Sequence, residues 1–224
     1  MSKPDFTSDY SPSFVSDFVS GLKRGRAVDG GGGATTSTFT VAASGDNGNF
    51  YTDQYYDATP PTSYSNYTYG GSIYSIGVSF YSSSNKYRFR NTFLRFTDVT
   101  IPAGSTISAA KLKVDFLSGA ERTFQINGYD ADNVSQPSSA SDGNHSNHTS
   151  ANASWTVPAS AAVHDSPDIK TIIQEIVDRA GWASGNAMMF SIWLNASEYS
   201  TYSRNLYFID ATHGTDPQLE VTYS

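Results

Sequence analysis

From about residue 34 onward the apolar positions recur mainly with period two, the spacing of strands with one buried face. Thr38 to Ala42 reads Thr-Phe-Thr-Val-Ala, β-branched and alternating. Gly45 to Asn49 reads as a turn or loop, and residues 72–81 as a strand with Tyr74, Ile76 and Val78 on one side. The remainder of 50–71, interrupted by Pro60-Pro61 and Gly70-Gly71, reads as a long loop. Strands are then expected over Tyr87 to Phe96, over 109–117 with Leu112, Val114 and Phe116 on one face, and over Phe124 to Tyr129. Residues 130–153 are poor in apolar side chains and rich in Ser, Asn, Asp and His, the signature of a surface loop without a core of its own. Trp155 to Pro158, Ala187 to Leu194, Arg204 to Asp210 and Leu219 to Thr222 complete the strands.

One segment switches to the helical period. Ile169, Ile172, Ile173, Ile176 and Val177 fall at i, i+3, i+4, i+7 and i+8. Ser166 suits the N-cap, Pro167 the first helical position and Asp168 the first turn. Gly181 is placed for a left-handed residue after the helix. Glu175 lies off the apolar face and is expected to face solvent.

The first 33 residues differ. Phe14, Phe18 and Leu22 are spaced four apart, with Val15 and Val19 beside them, and Gly30 to Gly33 form a flexible joint. A short apolar segment on a glycine tether cannot bury itself alone. It is either a disordered or locally docked tail, or an arm that docks on a neighbouring subunit. The pattern thus predicts two regions, an arm and joint over 1–33 and one domain over 34–224. Many short strands, frequent turns and a single helix make the fold class all-β: a jelly-roll β-sandwich with one amphipathic helix and an extended N-terminal arm.

Composition narrows the chemistry. The 224 residues include no cysteine, which excludes disulfides, thiolate catalysis and Cys-ligated metals. The net charge is −7 and only 16% of residues are charged, so a clustered Lys/Arg surface for a nucleic-acid backbone is not expected. No apolar run of signal-peptide length follows Met1, and no window approaches the ~18 apolar residues of a spanning helix. Synthesis in a cytoplasm, with no membrane partner, is the expectation.

From about residue 88 the chain resembles the DNRLRE-type (disaggregatase-related) jelly-roll domains, which look like carbohydrate-binding-module sandwiches. The residues that carry this are Thr92 to Phe96, Thr100 to Ile107, Ala109 to Leu112, Trp155 to Pro158, Pro167 to Ile169, Ile172 to Val177, Gly181 to Ala187 and Pro217 to Val221. These motifs are structural and specify a fold far more than an activity. The resemblance implies a domain of the kind appended to secreted enzymes, surface proteins and phage virion proteins.

Each candidate chemistry has a plainer counterpart. Asp130 and Asp132 could form an acid pair, but they head a polar loop. His145 and His148 could begin a metal site, but zinc asks for three or four rigidly held ligands. Asp46 to Asn49 with Asp53 could supply calcium oxygens, although the spacing is not that of a helix–loop–helix calcium loop. No Gly-x-Ser-x-Gly elbow and no phosphate-binding glycine loop is present. No enzyme, metal or cofactor is therefore expected, structural calcium being the one candidate ion. Six Asn-x-Ser/Thr sequons are explained by the Ser/Asn-rich composition. Arg88, Arg90 and Arg95, interleaved with aromatics, read as edge-strand charges in ion pairs.

Tyrosine carries the last signal. Nine of the fifteen lie in residues 50–87. Tyr51, Tyr55, Tyr56, Tyr64, Tyr67 and Tyr69 could line a sugar platform or pack against protein, since tyrosine is also enriched at protein interfaces. The leading expectation is a tailed-phage virion protein that decorates or cements the capsid. It would contact the major capsid protein or another virion protein through Phe14, Val15, Phe18, Val19, Leu22 and the tyrosine loops, as a homo-oligomer. The alternative is a glycan-binding adhesin or tail-fibre module.

Overall fold

A computed structural model of the chain describes residues 33–55, 61–70, 73–81, 84–118, 121–195, 198, 206–210 and 216–224. The apolar arm from Phe14 to Leu22, and Tyr56, lie outside the described residues. In chain order the strands are β1 (Thr35–Thr40), β2 (Asn47–Gln54), β3 (Asn66–Tyr69), β4 (Ile73–Tyr81), β5 (Lys86–Val99) and β6 (Ile107–Ser118). They continue with β7 (Arg122–Tyr129), β8 (His148–Val157), β9 (Ala162–Asp165), helix α1 (Lys170–Val177), β10 (Asn186–Leu194), β11 (Leu206–Asp210) and β12 (Gln218–Tyr223).

All strand pairs are antiparallel. One layer runs β3-β2-β5-β10-β7-β8 and the other β1-β12-β6-β9, while β4 and β11 stitch β5 to β6 along one side. The chain crosses between layers from β1 to β2, from β5 to β6, from β6 to β7, from β8 to β9 and, by way of α1, from β9 to β10. The fold is the all-β sandwich that the alternation predicts.

The inner faces meet in one apolar core. Leu94, Phe96, Phe190 and Ile192 come from the larger layer, and Leu112, Val114, Leu219 and Val221 from the smaller; all are buried. Helix α1 packs against β6, β7 and β8, burying Ile172, Ile173, Ile176 and Val177, with Ile169 just ahead of it. Each such side chain contributes about 1.5–3 kcal/mol of transfer free energy.

The structure corrects several details. The helix begins at Lys170, not Pro167, because the Ser166 hydroxyl accepts from the Leu112 amide (2.9 Å) and donates to the Pro167 carbonyl. Ser166 thus ties the approach to the helix onto β6. Asp168 takes over part of the capping, accepting from the amides of Lys170 and Ala110, each at 3.0 Å. Gly181 is not left-handed; Gly185 is, with φ 97°. A β-carbon at 181 would fall 2.1 Å from an Asp132 carboxylate oxygen, so that glycine serves close approach instead. Residues read as loop form β2 and β3, and β8 starts at His148 rather than Trp155. Among the described residues no helix is long and apolar enough to cross a membrane.

Candidate binding site

Alternation along the larger layer turns a second set of side chains away from the main core. Phe50 on β2, Phe93 on β5, Tyr129 on β7 and Met189 on β10 point to the outer face, yet all four are buried. Left bare, they would expose an apolar patch. The β7–β8 loop, residues 130–147, lies over them and adds the buried Val134. Gly143 seats the loop: a β-carbon there would fall 2.2 Å from the Phe50 ring. The segment expected to be a core-free surface loop is therefore the cover of a small second core.

Polar bonds hold that cover in place. Arg95 donates to the Val134 carbonyl (2.8 Å) and pairs with the buried Asp46 carboxylate at 2.5 Å. Asn144 accepts from the Tyr64 amide at 3.1 Å, and the His145 amide donates to the Thr62 carbonyl at 2.9 Å. Asp142 accepts from the amides of Ser138 and Ser139 at 2.8 and 2.9 Å. Burial opposes ionisation of Asp142, but these bonds from Ser138 and Ser139 outweigh it and hold its carboxyl below the usual range.

The two histidines stack on each other. Their rings stack with centroids 4.8 Å apart, His145 lies 4.6 Å from Trp193, and His148 meets Tyr129 edge-on at 5.1 Å. The Tyr64 hydroxyl is 3.1 Å from His145 Nε2. Burial pushes His145 down to about 4, and burial together with the neighbouring His145 pushes His148 down to about 3, so both rings are neutral near pH 7. No group of three His, Asp or Glu side chains suited to a metal occurs among the described residues.

Beside the second core the loop arches over a cavity of about 360 Å³. Tyr129, Val134 and Met189 contribute its apolar surface. Asn133, Ser135, Gln136, Asp142, Ser146 and Asn147 supply amides, hydroxyls and a carboxylate. The Tyr129 hydroxyl is buried and has no hydrogen-bond partner, and neither has His148 Nε2. Burial, followed by the negative charge of Asp142, raises the Tyr129 phenol well above its usual value; Ser191 eases this without reaching bonding geometry.

The tyrosines separate into two groups. Tyr64 and Tyr67 pack against the second core, Tyr64 with its ring 6.2 Å from that of Phe50. Tyr51, Tyr55 and Tyr69 lie outside it. Tyr55 is 67% exposed with the Lys86 ammonium 5.6 Å above its ring, and Tyr69 is 49% exposed and stacked on Tyr67 at 5.8 Å. Tyr51 carries the Arg88 guanidinium at 4.4 Å, which also bonds both Asp53 oxygens at 2.6 and 2.7 Å. Of the five described tyrosines in this set, Tyr64, Tyr67 and Tyr69 lie on or beside the second core while Tyr51 and Tyr55 meet Arg88 and Lys86.

The remaining candidates have structural partners. Arg179 holds Asp130 and, at 2.7 Å, Asp132, which is not the arrangement of two carboxyls facing across a cleft. Glu175, expected to face solvent, accepts from the Ser150 amide (2.8 Å), the Ser150 hydroxyl (3.0 Å) and the Ala151 amide (2.8 Å). Asp46 and Asp53 each hold an arginine, at positions roughly 23 Å apart along an extended chain. Arg90 donates to Ser79 at 2.7 Å.

Apart from Asp130, the cavity residues were missed because each is unremarkable in sequence. The available signal was Tyr129, an aromatic strand end running directly into the Ser/Asn/Asp-rich loop. Compared with known proteins, the chain matches no protein-family model and no curated protein sequence.

Proposed function

We propose that this chain is a non-catalytic virion protein of a tailed phage that decorates or cements the capsid. It would be made in the host cytoplasm and bind the major capsid protein or another virion protein as a homo-oligomer. The observation that carries the reading is the β2–β3 edge. Tyr55 and Tyr69 are two of the three large hydrophobic side chains exposed among the described residues, and both belong to this edge. Tyrosine supplies large contact area at low entropy cost and is enriched in interfaces. Arg179 engaging both Asp130 and Asp132 supports a binding role over a hydrolytic one. The resemblance of the strands and helix to DNRLRE-type domains of virion proteins agrees with it. The apolar arm would supply the second anchor. Replacing Tyr55 and Tyr69 together by Ser should reduce occupancy on purified particles while the sandwich stays folded; full occupancy would overturn the role of this edge.

A second reading, a glycan-binding adhesin or tail-fibre module, is favoured by one observation. The cavity beside Tyr129 combines an aromatic side chain with amides and hydroxyls, the mixture that recognises sugars.

A further inference from the structure

We infer that the free edge of β1 is a dimerisation seam, where β1 of a second copy of this chain adds antiparallel. The inference rests on the homo-oligomeric reading and gives the oligomer its contact. β1 lies at the end of the smaller layer and pairs on one side only, with β12. Backbone groups of an antiparallel strand alternate between its two sides. The Val41 amide donates to the Pro217 carbonyl at 3.1 Å, in line with the β1–β12 register, so Thr35, Ser37 and Phe39 turn their amides and carbonyls toward β12. Thr36, Thr38 and Thr40 therefore turn theirs outward, and all three residues are exposed. No second strand bonds them among the described residues.

A two-fold axis at Thr38 satisfies all of these groups at once. Thr38 then meets Thr38 of the second copy, and Thr36 and Thr40 each meet the other. Natural sheets blunt free edges with Lys, Pro, a bulge or a covering element. β1 has no Lys and no Pro, and its register to β12 runs without a shift. The other edges differ. On β8 the amides of Ser150 and Ala151 are taken by Glu175. β3 and β9 span four residues each, and β9 carries Asp165 in a pair with Lys111.

Charge selects the occupant. With a net charge of −7, much of the surface repels another copy of the same chain. β1 carries no charged side chain, and on the neighbouring β12 Glu220 is paired with Lys111 and Lys113. The strand can thus face its own image without like charges in register. The side chains match as well. On the exposed face the β-branched threonines of the two copies stand opposite one another, a favourable cross-strand pairing. On the other face Phe39, half-buried against the main core, stands opposite Ser37 of the second copy, which covers it further. A seam of one short strand is small beside a standard interface, so the dimer dissociates on dilution.

Sedimentation equilibrium of the full chain over a range of concentrations, together with amide hydrogen exchange by NMR, tests this. The mass should rise with concentration from 24.2 kDa toward twice that value. Exchange at Thr36, Thr38 and Thr40 should slow in parallel, while Ser37 and Phe39, already bonded to β12, stay slow throughout. Thr38→Pro removes the central outward amide without costing a bond to β12, at an edge position that accepts proline. Thr38→Lys sets two ammonium groups opposite each other across the axis. Each variant should stay at the monomer mass with its circular dichroism unchanged. A wild-type chain that remains monomeric up to about 1 mM would overturn the inference. A dimer that persists in both variants, or whose three threonine amides exchange fast, would overturn the seam while leaving the homo-oligomer standing. Protection of those amides only on purified particles, in a chain that is otherwise monomeric, would give the edge to a strand of another protein and overturn the second copy.

Discussion

The imidazole of His145 stacks on that of His148, with ring centroids 4.8 Å apart and planes 28° from parallel. Two histidines this close can both stay buried only while both are neutral. Their folded values, about 4 and about 3, lie below the ordinary 6.5. As pH falls below 6.5 the unfolded chain takes up protons that the folded one refuses. Stability is therefore fully present above about pH 6.5 and is lost progressively down to about pH 3, the folded value of His148. The loss by pH 5 should be on the order of 2–4 kcal/mol, allowing for partial exposure of the pair. Urea unfolding of the wild type at pH 7 and pH 5, beside His145→Phe and His148→Phe, measures it. The substitutions should flatten the pH dependence; a wild-type stability unchanged at pH 5 would show that the rings are not held neutral by burial.

Glu175 joins the helix to β8 through three accepted bonds. Burial works against its ionisation, but the bonds from Ala151 and Ser150 prevail and its carboxyl stays below the usual range. Its contribution is thus present above the ordinary glutamate value and is lost as pH falls through the lower, folded one. Glu175→Ala should cost about 1–2 kcal/mol and speed amide exchange at Ser150 and Ala151 specifically. Unchanged exchange at those two amides would count against the clamp.

The Tyr129 hydroxyl gives the opposite sign. Because it is buried without a partner, Tyr129→Phe removes an unmet bond rather than a made one. The variant should be more stable by about 1 kcal/mol, a rise in Tm of about 2–4 °C for a domain of this size. A loss of stability would mean that the hydroxyl is bonded.

The strands that carry the main core were legible because their apolar residues are large and alternate, as in Leu112, Val114 and Phe116. β2 and β3 were not, since Asn, Gly, Thr and Tyr fill them and Phe50 is the sole buried hydrophobe of β2. The first half of β8 escaped for a related reason. It uses Thr149, Ala151 and Ala153 against the core, small residues that leave little periodic signal. The helix was visible through its isoleucines, but its start was not, because Ser166 bonds a strand that only the tertiary fold brings near. The cavity was invisible in the same way. Its lining joins β7, β10 and the loop between β7 and β8, and no local pattern records that meeting.

The central claim is that the chain is held on a particle, with the arm and the β2–β3 edge both needed as anchors. Incubating purified virions stripped of this protein with the full chain, or with a variant lacking residues 1–29, and quantifying the bound copies tests it directly. The account predicts near-complete occupancy for the full chain and background binding for the truncated one, with the circular dichroism of the sandwich preserved. Unchanged occupancy after the truncation would contradict it.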